Sequence, residues 1–218
     1  MNVVKTNTLN LAILLMVFTL ELSFIKSIPL NLFVVVLSII YLIYKKSYIG
    51  LIGVFIIPII PALSTYWSVA VHGASLHDAW VLFSRTFAFA SLGMMFAFGI
   101  DIEELLLMME QKGFSKSFVY GILVVVHSIP TIKNEVIGLR NASLLRGKRL
   151  TVFSPFLYLK TIFIAYNWRD DYTEAMISRG FDDQGQRVLS LSFVTPITYI
   201  ALSIGILLIG NSLLFITL

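Results

Sequence analysis

Cysteine is absent from this 218-residue chain. That excludes a disulfide framework, a thiolate nucleophile and a thiolate metal site. Charge is scarce as well, with Asp, Glu, Lys and Arg making up only 13% of residues. The three histidines, His72, His77 and His127, stand in no ligand spacing such as His-Glu-x-x-His. The acids are scattered, with Asp pairs at 170–171 and 182–183 and no matching third ligand. A membrane enzyme would gather such groups to hold metal or activate a nucleophile. There is no Gly-x-x-x-x-Gly-Lys-Ser/Thr loop, so nucleoside triphosphate phosphates cannot be cradled in the P-loop manner. If ATP drives work here, separate chains must hydrolyse it. The expectation is a chain with no catalytic residues, no metal site and no bound cofactor.

What is present is apolar. Hydrophobic residues make up 58% of the chain and the mean hydropathy is +0.90, values that belong to membrane proteins. Crossing about 30 Å of hydrocarbon takes roughly 20 helical residues. Five stretches approach or exceed that length: 8–25, 28–44, 48–70, 79–100 and 190–217. Pro58 and Pro61 fall inside the third, where each removes a backbone donor, so that span is expected to kink or break and to be partly re-entrant. This leaves four to six spans open. The first stretch follows Lys5 like a signal peptide, but Glu21 interrupts its end and no small-x-small cleavage site follows. It is read as a retained helix.

Basic residues set the orientation. Of 16 Lys and Arg residues, 11 lie between Lys112 and Arg187, and Lys45 and Lys46 sit between the second and third stretches. Five spans with a cytoplasmic N-terminus put both basic linkers inside and the C-terminus outside. The segment between the fourth and fifth stretches is too long and too patterned for a plain loop. Asp101, Glu103 and Glu104 open a short helix whose apolar face is Ile102, Leu105, Leu106 and Met109, closed by Gly113. A second helix is expected from Ser117 to about Arg146, with a kink at Pro130, and a third over roughly 155–179. The predicted fold is an all-α integral membrane protein of about five transmembrane helices plus a cytoplasmic region of one short and two long amphipathic helices. Its divisions are 1–100, 101–189 and 190–218.

Both long helices start apolar and end polar, and both end alike. Residues 141–150 read NASLLRGKRL and residues 174–183 read EAMISRGFDD, so Ala-x-x-x-Arg-Gly recurs after 33 residues. One reading is structural: glycine accepts the left-handed turn that closes a helix, and arginine complements the dipole there. The other is recognition. Ala142 and Ala175 leave each flank thin, and Arg146 and Arg179 offer planar forks of donors suited to a carboxylate or to carbonyls in a groove. Two such tips look like two plugs for two sockets.

These residues resemble a known family, the transmembrane T components of energy-coupling factor (ECF) transporters, which includes the cobalt-transport Q-type proteins. The likeness covers about 80–180 and rests on IEELLLMMEQKGFS, on HSIPTIKNEV with Pro130 and Glu135, and on ASLLRG and AMISRGF. The second motif is close to the family form, Ala-Met-x-x-Arg-Gly-Phe. The first departs from it with Leu145 before the arginine. The resemblance implies that Ala142, Arg146, Gly147, Ala175, Arg179 and Gly180 form tips docking into two ABC-type ATPase subunits, alike or different. Those partners would use ATP and magnesium. It further implies a substrate-binding membrane S component resting on the apolar portions of the helices. The cargo would be a vitamin, a vitamin precursor or a transition metal ion, and the setting a prokaryotic cell membrane. No nucleic-acid partner is expected.

Other polar residues carry two readings each. Arg85 lies within the fourth span, where an unpaired charge is costly, and Asp78 seven residues earlier is a candidate partner; a structural pair and a transport role both remain. Glu21 reads as exposed at an interface, His127 as packed, and RDDYTE (169–174) as a solvated face. Met94, Met95, Met108 and Met109 are either an adaptable docking surface or filler. The rival functions are a secondary transporter, which would show inverted repeats and midplane polar pairs, and a membrane scaffold.

Overall fold

The computed structural model describes residues 2–72, 75–151, 154–180 and 191–215. Among them are two short strands and eight helices: β1 (Asn2–Lys5), α1 (Thr8–Phe24), α2 (Ile28–Tyr44), α3 (Tyr48–Val71), α4 (Leu76–Gly99), α5 (Ile102–Gln111), α6 (Lys116–Leu145), α7 (Pro155–Ser178), β2 (Leu191–Val194) and α8 (Ile197–Phe215). They form two compact units, Met1–Met108 with Leu191–Leu218, and Met109–Ser190.

The first unit is built around α4, which packs against α1, α2 and α3. Its buried residues include Ala79, Ser84, Ala88, Ser91 and Gly99, small side chains that let neighbouring backbones approach. From α3 it receives Gly50, Val54, Pro58 and Ala62, a buried stripe repeating every four residues. This stripe explains a departure from expectation: α3 runs unbroken through Pro58 and Pro61. Pro58 faces inward and is fully buried, so the packed flank holds the helix together where ladder bonds are missing.

Several contacts fix which ends lie together. Strands β1 and β2 pair in parallel, Asn2 opposite Leu191 through Lys5 opposite Val194. The helices that follow them also run in parallel, since Asn10 Nδ2 donates to the Tyr199 carbonyl and to Ser203 Oγ, and Asn211 Nδ2 donates to Glu21 Oε1 at 3.1 Å. At α4's last residue, Lys45 Nζ donates to the Gly99 carbonyl at 2.8 Å, a cation on a helix C-terminus. At the other end of the bundle, Arg85 Nη2 donates to the Ile25 carbonyl at 2.6 Å. The expected 190–217 span therefore begins later, at Ile197, because its first residues are spent on β2 and Pro196 precedes the helix.

Asp101 Oδ1 accepts from the backbone N–H groups of Glu103 (2.9 Å) and Glu104 (3.4 Å), starting α5 as expected. Thr8 Oγ1 then donates to Glu104 Oε2 at 2.7 Å, and Thr6 Oγ1 to Met108 Sδ at 3.4 Å. Met108 is thus buried, and Met95 lies in the apolar core with Phe18, Leu22 and Leu92, so these two methionines are interior filler, not an outward surface. Gly113, just past α5, has φ +100°.

In the second unit α6 and α7 pack together. Ile132, Val136 and Leu139 share the half-buried side of α6, while Ile129 is exposed. On α7 the buried or half-buried positions are Leu157, Lys160, Thr161, Ile164 and Trp168, a helical stripe. His127 is exposed, with Nδ1 against the Leu123 carbonyl at 2.9 Å, and is not the packed residue expected. By length and composition α3, α4 and α6 are each able to cross a membrane, and α1, α2 and α8 are shorter apolar helices.

A methyl group at Gly99 would sit 2.9 Å from Tyr41 Cε1 and 3.3 Å from Leu11 Cδ2, whereas one at Gly53 meets the terminal methyl of Met94. An aromatic ring edge yields less than a thioether end. Gly99→Ala is expected to cost about 1–3 kcal/mol, and Gly53→Ala much less. Thermal unfolding of the purified variants in detergent checks this; equal shifts would contradict it.

Two arginine-glycine helix ends as the candidate functional site

Each Ala-x-x-x-Arg-Gly motif closes a long helix. Arg146 is the residue at which α6 ends, with φ −91° and ψ 13°, and Gly147 follows at φ +72°. The Gly147 N–H donates to the Leu144 carbonyl (3.0 Å) and the Lys148 N–H to the Ser143 carbonyl (3.0 Å). Those two bonds together make a Schellman motif. Ser143 Oγ adds a bond to the Lys148 carbonyl at 2.8 Å, pinning the turn.

The second end repeats the geometry. Arg179 terminates α7 at φ −88° and ψ 7°, and Gly180 also has φ +72°. The Gly180 N–H reaches the Ile177 carbonyl at 3.0 Å, and the Arg179 N–H is shared between the Ala175 and Met176 carbonyls at 3.2 Å each. Phe181 and the Asp182–Asp183 pair lie outside the described residues.

The structural reading of glycine therefore holds at both ends: a left-handed residue is required, and glycine adopts it without strain. It does not account for the arginines. Ala142, Arg146, Gly147, Ala175, Arg179 and Gly180 are all exposed. Neither guanidinium has a hydrogen-bond or ion-pair partner among the described residues. Leu145 is 91% exposed beside Arg146, and Ile177 is 70% exposed two residues before Arg179. An unpaired arginine beside an uncovered aliphatic side chain, on a turn held by its own backbone, can fill a groove and reach carboxylates or carbonyls within it. The exposed apolar neighbours are visible in the sequence only once the arginines' positions are fixed on the tips.

The remaining polar residues are placed differently. The Asp78–Arg85 pair does not form. Seven residues of helix separate them by about 10 Å, and each finds a nearer partner. Asp78 Oδ2 accepts from Ser75 Oγ at 2.7 Å and its N–H donates to Ser75 Oγ at 3.2 Å, capping α4. Arg85 instead caps α1 through the Ile25 carbonyl. Glu21 is half-buried and bonded to Asn211, not exposed at an interface. Asn31, unremarked in its apolar run, is fully buried and donates to Ser84 Oγ at 2.9 Å. Along RDDYTE, Arg169 and Asp170 pair at 3.3 Å with side chains 69% and 56% exposed, a surface contact of little energetic weight.

Residues 2–191 match the sequence profile of the cobalt transport protein family, CbiQ. The chain belongs to this family, the T components of ECF transporters. The match runs from β1 to the start of β2, so it includes the N-terminal helices as well as the stretch on which the two motifs lie. Neither curated proteins nor solved structures gave a significant match. Family membership makes the chain a component of a membrane transporter.

A Cβ at Gly147 or Gly180 would meet nothing within 4 Å, so substitution there taxes the backbone alone. Gly147→Ala is expected to cost about 1–2 kcal/mol of local stability, speeding amide exchange in a peptide spanning 143–148 roughly tenfold. Gly147→Asn should exchange nearer the wild-type rate, since asparagine tolerates the left-handed region. Hydrogen-exchange mass spectrometry decides; identical exchange in Ala and Asn variants would oppose the assignment.

Proposed function

We propose that the chain is the transmembrane coupling subunit of an ATP-driven ECF importer, non-catalytic itself, with Arg146 and Arg179 docking into two ABC-type ATPase subunits. The observation that carries the reading is the duplicated tip: two helix ends with the same left-handed glycine, each presenting an arginine that has no partner among the described residues beside an exposed aliphatic residue. ATP and magnesium belong to the partners. The cargo belongs to a separate S component, and the family's description favours a transition metal ion over a vitamin or vitamin precursor.

In this reading five helices, α1 to α4 and α8, span a prokaryotic cell membrane. The parallel pairing of β1 with β2 and the Lys45 contact to Gly99 put residues 2–5, 45, 99 and 191–194 at one end of the bundle. That end carries Lys45 and Lys46 and is the cytoplasmic one, so α8 ends outside. Interfacial aromatics agree: Tyr48 and Trp67 are 72% and 71% exposed, and the helix rises about 28 Å from one to the other. Residues 101–189 form the cytoplasmic coupling region. The apolar first half of α6 and the exposed Phe156, Leu159, Ile162 and Phe163 of α7 offer the S component an apolar platform.

Mechanically the chain is a lever. Each ATPase grips one tip, and ATP-driven approach of the two ATPases changes how α6 and α7 cross, which tilts the S component. Transmission requires only that the ATP-bound pair favour one helix arrangement over the other.

The test is co-purification from the native host with a tagged chain. Wild type should bring down two ATPase subunits, and Arg146→Glu or Arg179→Glu should weaken capture by at least about a hundredfold, as expected for losing a buried paired arginine. Full retention of the ATPases in both variants would reduce the Arg-Gly ends to helix caps.

A further inference from the structure

Four side-chain atoms near the Arg85 end of the first unit are buried and have no hydrogen-bond partner among the described residues: Glu21 Oε2, Ser27 Oγ, Asn31 Oδ1 and Arg85 Nε. Ser27, Asn31 and Arg85 belong to a closed circuit of contacts through Ile25 and Ser84, and Glu21 stands one helical turn before Ile25. The Ile25 N–H donates to the Glu21 carbonyl at 2.9 Å. Arg85 Nη2 donates to the Ile25 carbonyl, and Ser84, its chain neighbour, accepts from Asn31 Nδ2. The Asn31 N–H donates to the Ser27 carbonyl at 3.2 Å, and Ser27 stands two residues from Ile25. The circuit draws α1, α2 and α4 together, and Asn211 adds α8 through Glu21 Oε1. Asn31 cannot be turned to relieve the shortage, because its Nδ2 also serves the Val81 carbonyl at 3.3 Å, which needs a donor.

Buried polar atoms are almost always satisfied, by protein or by ordered water. The inventory of these four selects the ligand. Glu21 Oε2 and Asn31 Oδ1 accept, Arg85 Nε donates, and Ser27 Oγ does either. A phosphate would suit Arg85 but would bring more acceptor oxygens against a carboxylate and an amide carbonyl. A bare metal cation would suit those oxygens and be repelled by the guanidinium. Water both donates and accepts, and buried polar atoms left without a protein partner are where buried water settles.

We propose that this junction is a buried water site, in which ordered water links the Arg85 guanidinium to the Glu21 carboxylate and latches these ends of α1, α2, α4 and α8. The two charges then neutralise each other across water, not by direct contact, and Arg85 and Glu21 are positioning residues. The inference rests on the fold of the first unit alone and stands apart from what the helix tips bind.

The experiment is X-ray radiolytic hydroxyl labelling of the full chain in lipid nanodiscs, read by mass spectrometry, with a double-mutant cycle of Arg85→Met and Glu21→Gln followed by thermal unfolding. Leu22 and Leu30 flank the junction and are 0% exposed, as are the controls Leu42 and Val54. Water at the junction predicts several-fold higher labelling of Leu22 and Leu30 than of the controls, falling in the double variant. Labelling at the control level overturns the water site. Linkage predicts that the two melting-temperature shifts do not add, the second substitution costing clearly less once the first is made. Additive shifts overturn the linkage of Glu21 to Arg85.

Discussion

Close approach of helices around α4 is the constraint from which the rest of the first unit follows. In lipid there is little hydrophobic force to drive helices together, so affinity comes from fitted surfaces and a few interhelical hydrogen bonds. Ala79, Ser84, Ala88, Ser91 and Gly99 supply the fit on α4, and Gly50, Val54, Pro58 and Ala62 supply it on α3. The polar side chains work at the ends. Lys45 and Arg85 each place a cation on a helix C-terminus, one at each end of the bundle, and Asn31 ties α2 to α4 beside Arg85. Without the small-residue faces, none of these short reaches would close.

The second unit obeys a different economy. Its helices leave much apolar surface uncovered, and among the described residues their arginine-bearing ends are closed by local bonds. A turn closed by its own backbone and by Ser143 or Ser178 hydroxyls needs nothing from the arginine beside it. The side chain is left unspent. The same arginine turn and left-handed glycine at two sites, with different residues before the arginine, separate what the helix end requires from what a partner requires.

Much of this was legible in the sequence, and the misses have physical causes. Helix bounds came through within a few residues because apolar runs, caps and glycines are local signals: α6 and α7 end where Arg146 and Arg179 were expected to end them. The prolines in α3 misled because propensity describes a helix alone, while a packed flank holds one that has lost two donors. Asp78 and Arg85 share a helical face but not a reach. Asn31, Glu21 and Asn211 were beyond inference, since which apolar helix neighbours which is decided by tertiary packing. The strand pair was invisible for the same reason, as its partners stand 189 positions apart, Asn2 against Leu191.

That separation has a consequence for how the molecule is made. Peptide synthesis at about 5–20 residues per second leaves the N-terminal strand waiting roughly 10–40 s for its partner to leave the ribosome. Throughout that interval α1 stands without α8, and Glu21 without Asn211. The first unit is therefore completed only when β2 and α8 have joined the helices made before them. Without β2 the first strand would have no pairing partner among the described residues, its backbone donors and acceptors left open.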